Sequence, residues 1–197
     1  MKIFCIGRNY AEHAKELNNP VPEEPLVFSK LNSALLENNK DFYHPEFTKE
    51  IHHEAELVLK ICRNGKHIDP KFAHRYYDQI SIGIDFTARD IQQKLKAKGH
   101  PWEIAKSFNG AAPVGKFIPI ENLDVNDISF SMTNHGDIVQ EGNTKDLIFN
   151  FDKRSGRVLG FSMRSLNPNA ERKYIIKSYT DLANVFVQKN ISKDRKS

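Results

Sequence analysis

Two stretches of alternation constrain this chain toward a sheet-based fold more than any other feature of its sequence. From His53 to Ile61 the odd positions carry His53, Ala55, Leu57, Leu59 and Ile61, while Glu54, Glu56, Val58 and Lys60 take the even ones. A period of two distributes residues over the two faces of a strand. From Gln79 to Phe86, Ile80, Ile82, Ile84 and Phe86 alternate with Ser81, Gly83 and Asp85, which predicts a second strand with Asp85 on its non-apolar face near the end. Strand geometry therefore lets three carboxylates converge: Glu54 and Glu56 from one strand, Asp85 from another.

Shorter signals fill in the remainder. Residues 2–6 and 26–30 read as strands, with Pro20, Pro22 and Pro25 as an extended connector between them. Tyr10, Ala14 and Leu17 share helical spacing. Thr87 is expected to cap a helix with Asp90 in its first turn and Ala88, Ile91 and Leu95 as its buried stripe. Gly99 and Pro101 end that helix. Asn134–His135–Gly136 between 128–133 and 137–141 is a hairpin signal, and 144–151 is expected to form a short helical turn. The predicted fold class is mostly β with a few helices, α+β.

The 197 residues suit one domain, and 39% apolar with 27% charged side chains is enough to bury a core. No apolar run approaches about 18 residues, and Gly7–Arg8 interrupts the N-terminal apolar stretch, so the expected location is the cytoplasm, with no membrane partner. Cys5 and Cys62 are expected to be buried thiols. The charge is uneven: residues 1–152 hold 18 basic and 22 acidic side chains, whereas 153–197 hold 11 basic and three acidic. A basic tail can serve as a nucleic-acid arm, but this one lacks a recognition motif, and nucleic acid is not the expected partner.

Three carboxylates with open positions are what Mg2+ or Mn2+ requires when substrate and water complete an octahedral site. On pattern alone, a solvated acidic strand face with a strand-end aspartate is the more ordinary reading. His52 and His53 point to opposite faces of a strand, and HEAEL lacks the second histidine of H-E-x-x-H, so zinc is not expected. His13 and Glu16, three residues apart, can form a base oriented by a carboxylate, or can be incidental surface neighbours. Lys106 can bind a substrate carboxylate or be a surface charge.

The segments CIGRNYAEHAKE (5–16), HHEAELVLKI (52–61), GIDFTARDIQQKLKAKGHPWEIAKSFNGAAPVG (83–115) and IVQEGNTKDLIFN (138–150) resemble the fumarylacetoacetate hydrolase family, in particular its small acylpyruvase and oxaloacetate decarboxylase-like members. The resemblance implies a mixed β-roll and a homodimer. It further implies Glu54, Glu56 and Asp85 as ligands of a catalytic Mg2+ or Mn2+. His13 and Glu16 would be the pair on a lid, Lys106 the active-site lysine, and Arg89 and Gln92 substrate-lining residues. The implied activity is cleavage of a C–C bond in a small 2-oxo acid through a metal-stabilised enolate, by acylpyruvate hydrolysis or oxaloacetate decarboxylation, with a related isomerase or hydratase as an alternative.

The resemblance covers residues 1–152, the expected catalytic domain. In 153–197 nothing matches the family's GDLIFTGTP-x-GVG segment, so this basic portion is expected to be an atypical or incomplete C-terminal part, through a frameshift or through divergence with a helix over 178–188. A family remnant that binds metal and 2-oxo acid without turnover is the competing expectation.

Overall fold

The computed structural model describes residues 2–11, 20–121, 123–149 and 151, together with the backbone of 173–177 and 186–188. Both alternating stretches are strands, each longer than the alternation alone marks. They are β4 (Ile51–Ile61) and β5 (Tyr77–Ala88), paired antiparallel over almost their whole length. Around them, β1 (Ile3–Gly7), β2 (Leu26–Lys30), β7 (Ile118–Pro119) and β10 (Lys173–Lys177) complete a six-stranded sheet in the order β2-β1-β10-β4-β5-β7. The β1–β10 pair is parallel and the other pairs are antiparallel, so the sheet is mixed.

Two smaller sheets flank it. The hairpin of β8 (Ser129–Asn134) and β9 (Asp137–Asn143) is joined by β11 (Phe186–Gln188), and β3 (Leu35–Leu36) pairs with β6 (Ala112–Pro113). His135 and Gly136 both have positive φ, 50° and 96°, the geometry of the two-residue turn that matches strand twist. Residues Thr144–Asp146 form a single 3-10 turn, shorter than the helical turn expected there. Helices are few. The helix α1 (Arg89–Ala97) follows β5 directly, and the single turn α2 (Glu103–Lys106) follows Pro101.

The central sheet is covered by two apolar clusters. One gathers Leu57, Leu59 and Ile61 with Tyr77, Ile80, Phe149 and Phe151; the other gathers Ile3, Cys5, Val58, Ile84, Phe86, Ala111 and Ala112. The even face of β4 is covered in its middle, for Glu56 and Val58 are as buried as the apolar positions around them, while Glu54 and Lys60 are partly exposed and His52 is exposed.

Packing against β5 is close at Gly83, which sits opposite Glu56 in the register. A Cβ there would lie 2.9 Å from the carbonyl oxygen of Pro113 and 2.9 Å from Val58 Cγ2. Gly83→Ala should therefore destabilise the fold by about 1–3 kcal/mol, the usual cost of overpacking a filled core. Urea denaturation of the variant beside the parent measures it.

Several expectations are corrected. Thr87 caps nothing: β5 runs on through Ala88, which occupies the N-cap position without a side-chain bond. The buried residue of α1 is Gln92, while Ile91 and Leu95 are only partly covered. Cys5 is buried, but Cys62 is exposed just past the end of β4. Of the helix expected over 178–188, residues 186–188 are strand and 178–185 lie outside the described residues, while 173–177 lie between β1 and β4. The run Tyr174–Ile176 is continuously apolar and does not alternate, so it carries no period-two signal. The helical spacing of Tyr10, Ala14 and Leu17 falls mostly outside the described residues.

Candidate metal centre

The antiparallel register of β4 and β5 places Glu54 directly opposite Asp85, with Glu56 one alternation further along the same face. Side chains opposite one another on one face of a sheet lie about 5 Å apart at Cβ, and each of the three acids offers an oxygen within 4.8 Å of the others. Asp85 is 0% and Glu56 1% exposed, while Glu54 is partly covered. Burial, then the neighbouring carboxylates of Asp85 and Glu54, pushes the Glu56 carboxyl well above its usual range. Its Oε2 is buried with no hydrogen-bond partner among the described residues. A buried oxygen without a donor, among carboxylates that repel one another, fits a hard divalent cation, which would satisfy the oxygens and offset the repulsion.

Two ammonium groups and a guanidinium surround the acids. Lys106, at the end of α2, is 3% exposed. Its Nζ donates to Asp85 Oδ2 and, at 2.6 Å, to Thr87 Oγ1, and lies 3.5 Å from Glu54 Oε2. The ring of Phe28 lies 4.8 Å from the same nitrogen. Burial alone would favour the neutral amine, but the carboxylates of Asp85 and Glu54 more than offset it and hold the Lys106 ammonium above its usual range. Arg89, the first residue of α1, donates from its guanidinium to Glu54 Oε1 at 2.8 Å and to Gln92 Oε1 at 2.6 Å. Its Nε reaches His52 Nδ1 at 3.2 Å, and the other ring nitrogen of His52 lies 2.7 Å from Glu50. Lys96, on the same helix, is lowered by burial and then by the positive charges of Arg89, Arg8 and Lys106. The acids thus sit among cations, an environment that favours an anionic ligand.

Of the expected site residues, the structure brings together Glu54, Glu56, Asp85, Lys106, Arg89 and Gln92. His13 and Glu16 lie outside the described residues. Two residues of the cluster were not anticipated. Thr87 turns its hydroxyl to Lys106 because β5 continues past it. Lys30, 2% exposed at the end of β2, has its Nζ 2.7 Å from Asp85 Oδ1. Its signal was the alternation Leu26, Phe28, Lys30, which puts a lysine on an apolar face where a buried ammonium needs an anion.

Comparison with known proteins agrees with this geometry. Residues 2–154 match the fumarylacetoacetate (FAA) hydrolase C-terminal family. The chain belongs to this family. It is similar to the mitochondrial oxaloacetate decarboxylase of Dictyostelium discoideum, 40% identical over 150 residues that span 75% of this chain and 69% of the relative. It is also similar to the mitochondrial oxaloacetate tautomerase FAHD1 of Bos taurus, 35% identical over 148 residues, 75% of this chain and 67% of the relative. Among solved structures it resembles fumarylpyruvate hydrolase from Pseudomonas aeruginosa in complex with Mn2+ and pyruvate, with a TM-score of 0.79 and 26% identity over 94% of this chain and 82% of that one. These members of the fumarylacetoacetate hydrolase family are enzymes. No helix among the described residues is long and apolar enough to cross a membrane.

Proposed function

We propose that this family member cleaves a C–C bond in a small 2-oxo acid, by acylpyruvate hydrolysis or oxaloacetate decarboxylation, with Mg2+ or Mn2+ held by Glu54, Glu56 and Asp85. The observation that carries the reading is the convergence of three carboxylates within 4.8 Å, beside a buried ammonium and a guanidinium. Either cleavage leaves its electron pair on the carbon next to the 2-oxo group, so both reactions develop the charge of an enolate. A bound divalent cation supplies Lewis-acid charge where that negative charge develops.

The chain's own residues do the rest. Lys106 neutralises a substrate carboxylate, and the Phe28 ring, 4.8 Å from its Nζ, helps fix where that carboxylate lies. Arg89, held by Glu54 and Gln92, lines the site and presents a second positive group. For hydrolysis, His13, oriented by Glu16, takes a proton from the attacking water; decarboxylation needs no water. Residues 1–152 carry every one of these groups and form the catalytic domain, with 153–197 as its atypical C-terminal part. The same reading places a homodimer in the cytoplasm.

Oxaloacetate tautomerisation is a second reading, favoured by the name of the FAHD1 relative. It passes through the enolate of oxaloacetate itself, which keeps its second carboxylate, so a proton moves and no C–C bond breaks.

The test is turnover by protein stripped with chelator and reloaded. Pyruvate should form from oxaloacetate or an acylpyruvate only after Mg2+ or Mn2+ is returned, with at least about 10²-fold difference between stripped and loaded protein. Accelerated keto–enol exchange without pyruvate would select the tautomerase. Binding of oxalate to the reloaded protein without either reaction would select the remnant that binds but does not turn over.

A further inference from the structure

Four charged side chains are buried among the described residues, namely Lys30, Glu56, Asp85 and Lys106. The proposed chemistry uses three of them and leaves Lys30 without a part. Burying an ammonium is expensive unless it is both paired and fully hydrogen-bonded, and at Lys30 both conditions are met in an unusual way. Its Nζ donates to the carbonyl oxygens of Phe86 at 3.0 Å, Ala111 at 2.9 Å and Lys106. An ammonium has three N–H groups, so the three carbonyls account for all of them. Asp85 Oδ1, 2.7 Å away, meets the charge and has no hydrogen bond among the described residues.

The three carbonyls come from three different segments: the residue after Asp85, the last residue of α2, and the approach to β6. One of them belongs to Lys106 itself. The base of Lys30 is fixed independently. The hydroxyl of Ser107, next to Lys106, accepts from the N–H of Leu31 at 3.2 Å and donates to the carbonyl of Ser29 at 3.3 Å. The residues on either side of Lys30 are thus stapled to the end of α2, and its ammonium reaches across to the end of β5.

We propose that Lys30 is a positioning residue, whose ammonium holds the carboxylate of the metal ligand Asp85 and the backbone of the substrate lysine Lys106 in one frame. The inference rests on the metal-dependent reading above. An aspartate carboxylate turns freely about its terminal torsion unless both ends are held. Here Lys30 faces Oδ1 while Lys106 binds Oδ2, so the plane is set. Groups behind a metal ligand that orient it in this way typically contribute 10–100-fold to metal affinity or activity.

Substitution by methionine keeps the length and the packing of the stem and removes the charge and the donors. Mn2+ binding without substrate, followed by electron paramagnetic resonance, should weaken about 10–100-fold in Lys30→Met, and oxalate should bind the Mn2+-loaded variant more weakly than the parent. The sign discriminates between explanations. Removing a positive charge beside a cation site would by Coulomb's law alone tighten Mn2+, so only lost positioning weakens it. Affinity within twofold of the parent, or greater, overturns the proposal even if the variant melts at a lower temperature. A parent that binds no Mn2+ overturns the metal reading and this inference together, whereas a binding parent with an unaffected variant overturns this inference alone. Should Lys30→Met fail to fold, the unsubstituted protein still decides. Its Lys30 ammonium proton resonance should be protected from solvent exchange and shift on titration with Mg2+, and a resonance indifferent to Mg2+ overturns the proposal.

Discussion

Replacing Glu56 with glutamine should lower metal-dependent turnover by at least about 10³-fold while leaving the protein folded. Glutamine matches glutamate in shape and keeps one acceptor oxygen, but it brings no charge to the cation. The lost ligand charge should appear first in Mn2+ binding and then in turnover, because a cation held by too few carboxylates dissociates or shifts. Stability should move the other way. Burial and the nearby Asp85 and Glu54 carboxylates already favour the protonated form of Glu56 in the protein without a cation, and glutamine imitates that form permanently. The thermal midpoint of the metal-free variant should therefore rise by about 2–4 °C, which for a domain of this size corresponds to about 1 kcal/mol. Calorimetry with and without Mn2+ checks both halves: the midpoint should rise without the ion, and the increment from adding the ion should shrink. Turnover with unchanged Mg2+ dependence would remove Glu56 from the ligand set.

The acids were legible in the sequence for a physical reason. A period of two over nine residues fixes which side chains share a face, and two such strands of similar length pair readily. Once they do so antiparallel, Glu54 and Asp85 become direct neighbours. What alternation does not report is depth. Whether an even-numbered face is solvated or covered depends on what packs against it, and the cover comes partly from Ala111, Ala112 and Val114, more than 50 residues away in sequence. Glu56 therefore reads as an exposed acid and is a buried one.

The burial of Lys30 is illegible in the sequence for the same reason. In a five-residue strand, a terminal lysine on an apolar face reads as a stem that snorkels to water. Only the assembled sheet shows that its ammonium ends among three carbonyls. Thr87 was misread because strand-end and helix-start signals overlap: threonine is both a good cap and a good strand residue, and the pairing of His52 with Thr87 decides for the strand. The C-terminal strands were missed because alternation is a signature of a half-buried strand, and Tyr174–Ile176 does not alternate.

Lys106→Met provides the second large effect, and its signs separate the two buried lysines. Turnover should fall about 10²–10³-fold, the usual loss on removing one group that stabilises developing negative charge in an enclosed site, and oxalate should bind the metal-loaded variant more weakly. The metal-free fold should lose about 3–5 kcal/mol, because the buried Asp85 and the partly covered Glu54 are left with fewer compensating charges. Mn2+ should nevertheless bind more tightly than to the parent. The Lys106 ammonium is shared between oxygens of two different ligands, Asp85 Oδ2 and Glu54 Oε2, so it competes with a cation for them. Lys30 faces a single oxygen of one ligand, Asp85 Oδ1, and spends its donors on backbone carbonyls, so it competes with a cation less than Lys106 does and its orienting effect outweighs its repulsion. Because a ligand that binds the folded state stabilises it in proportion to its affinity, saturating Mn2+ should restore a larger part of the lost stability in Lys106→Met than it adds to the parent. Thermal shifts across a Mn2+ titration measure this directly. Equal Mn2+ shifts in the parent and the Lys106 variant would mean that this ammonium does not face the same oxygens as the cation.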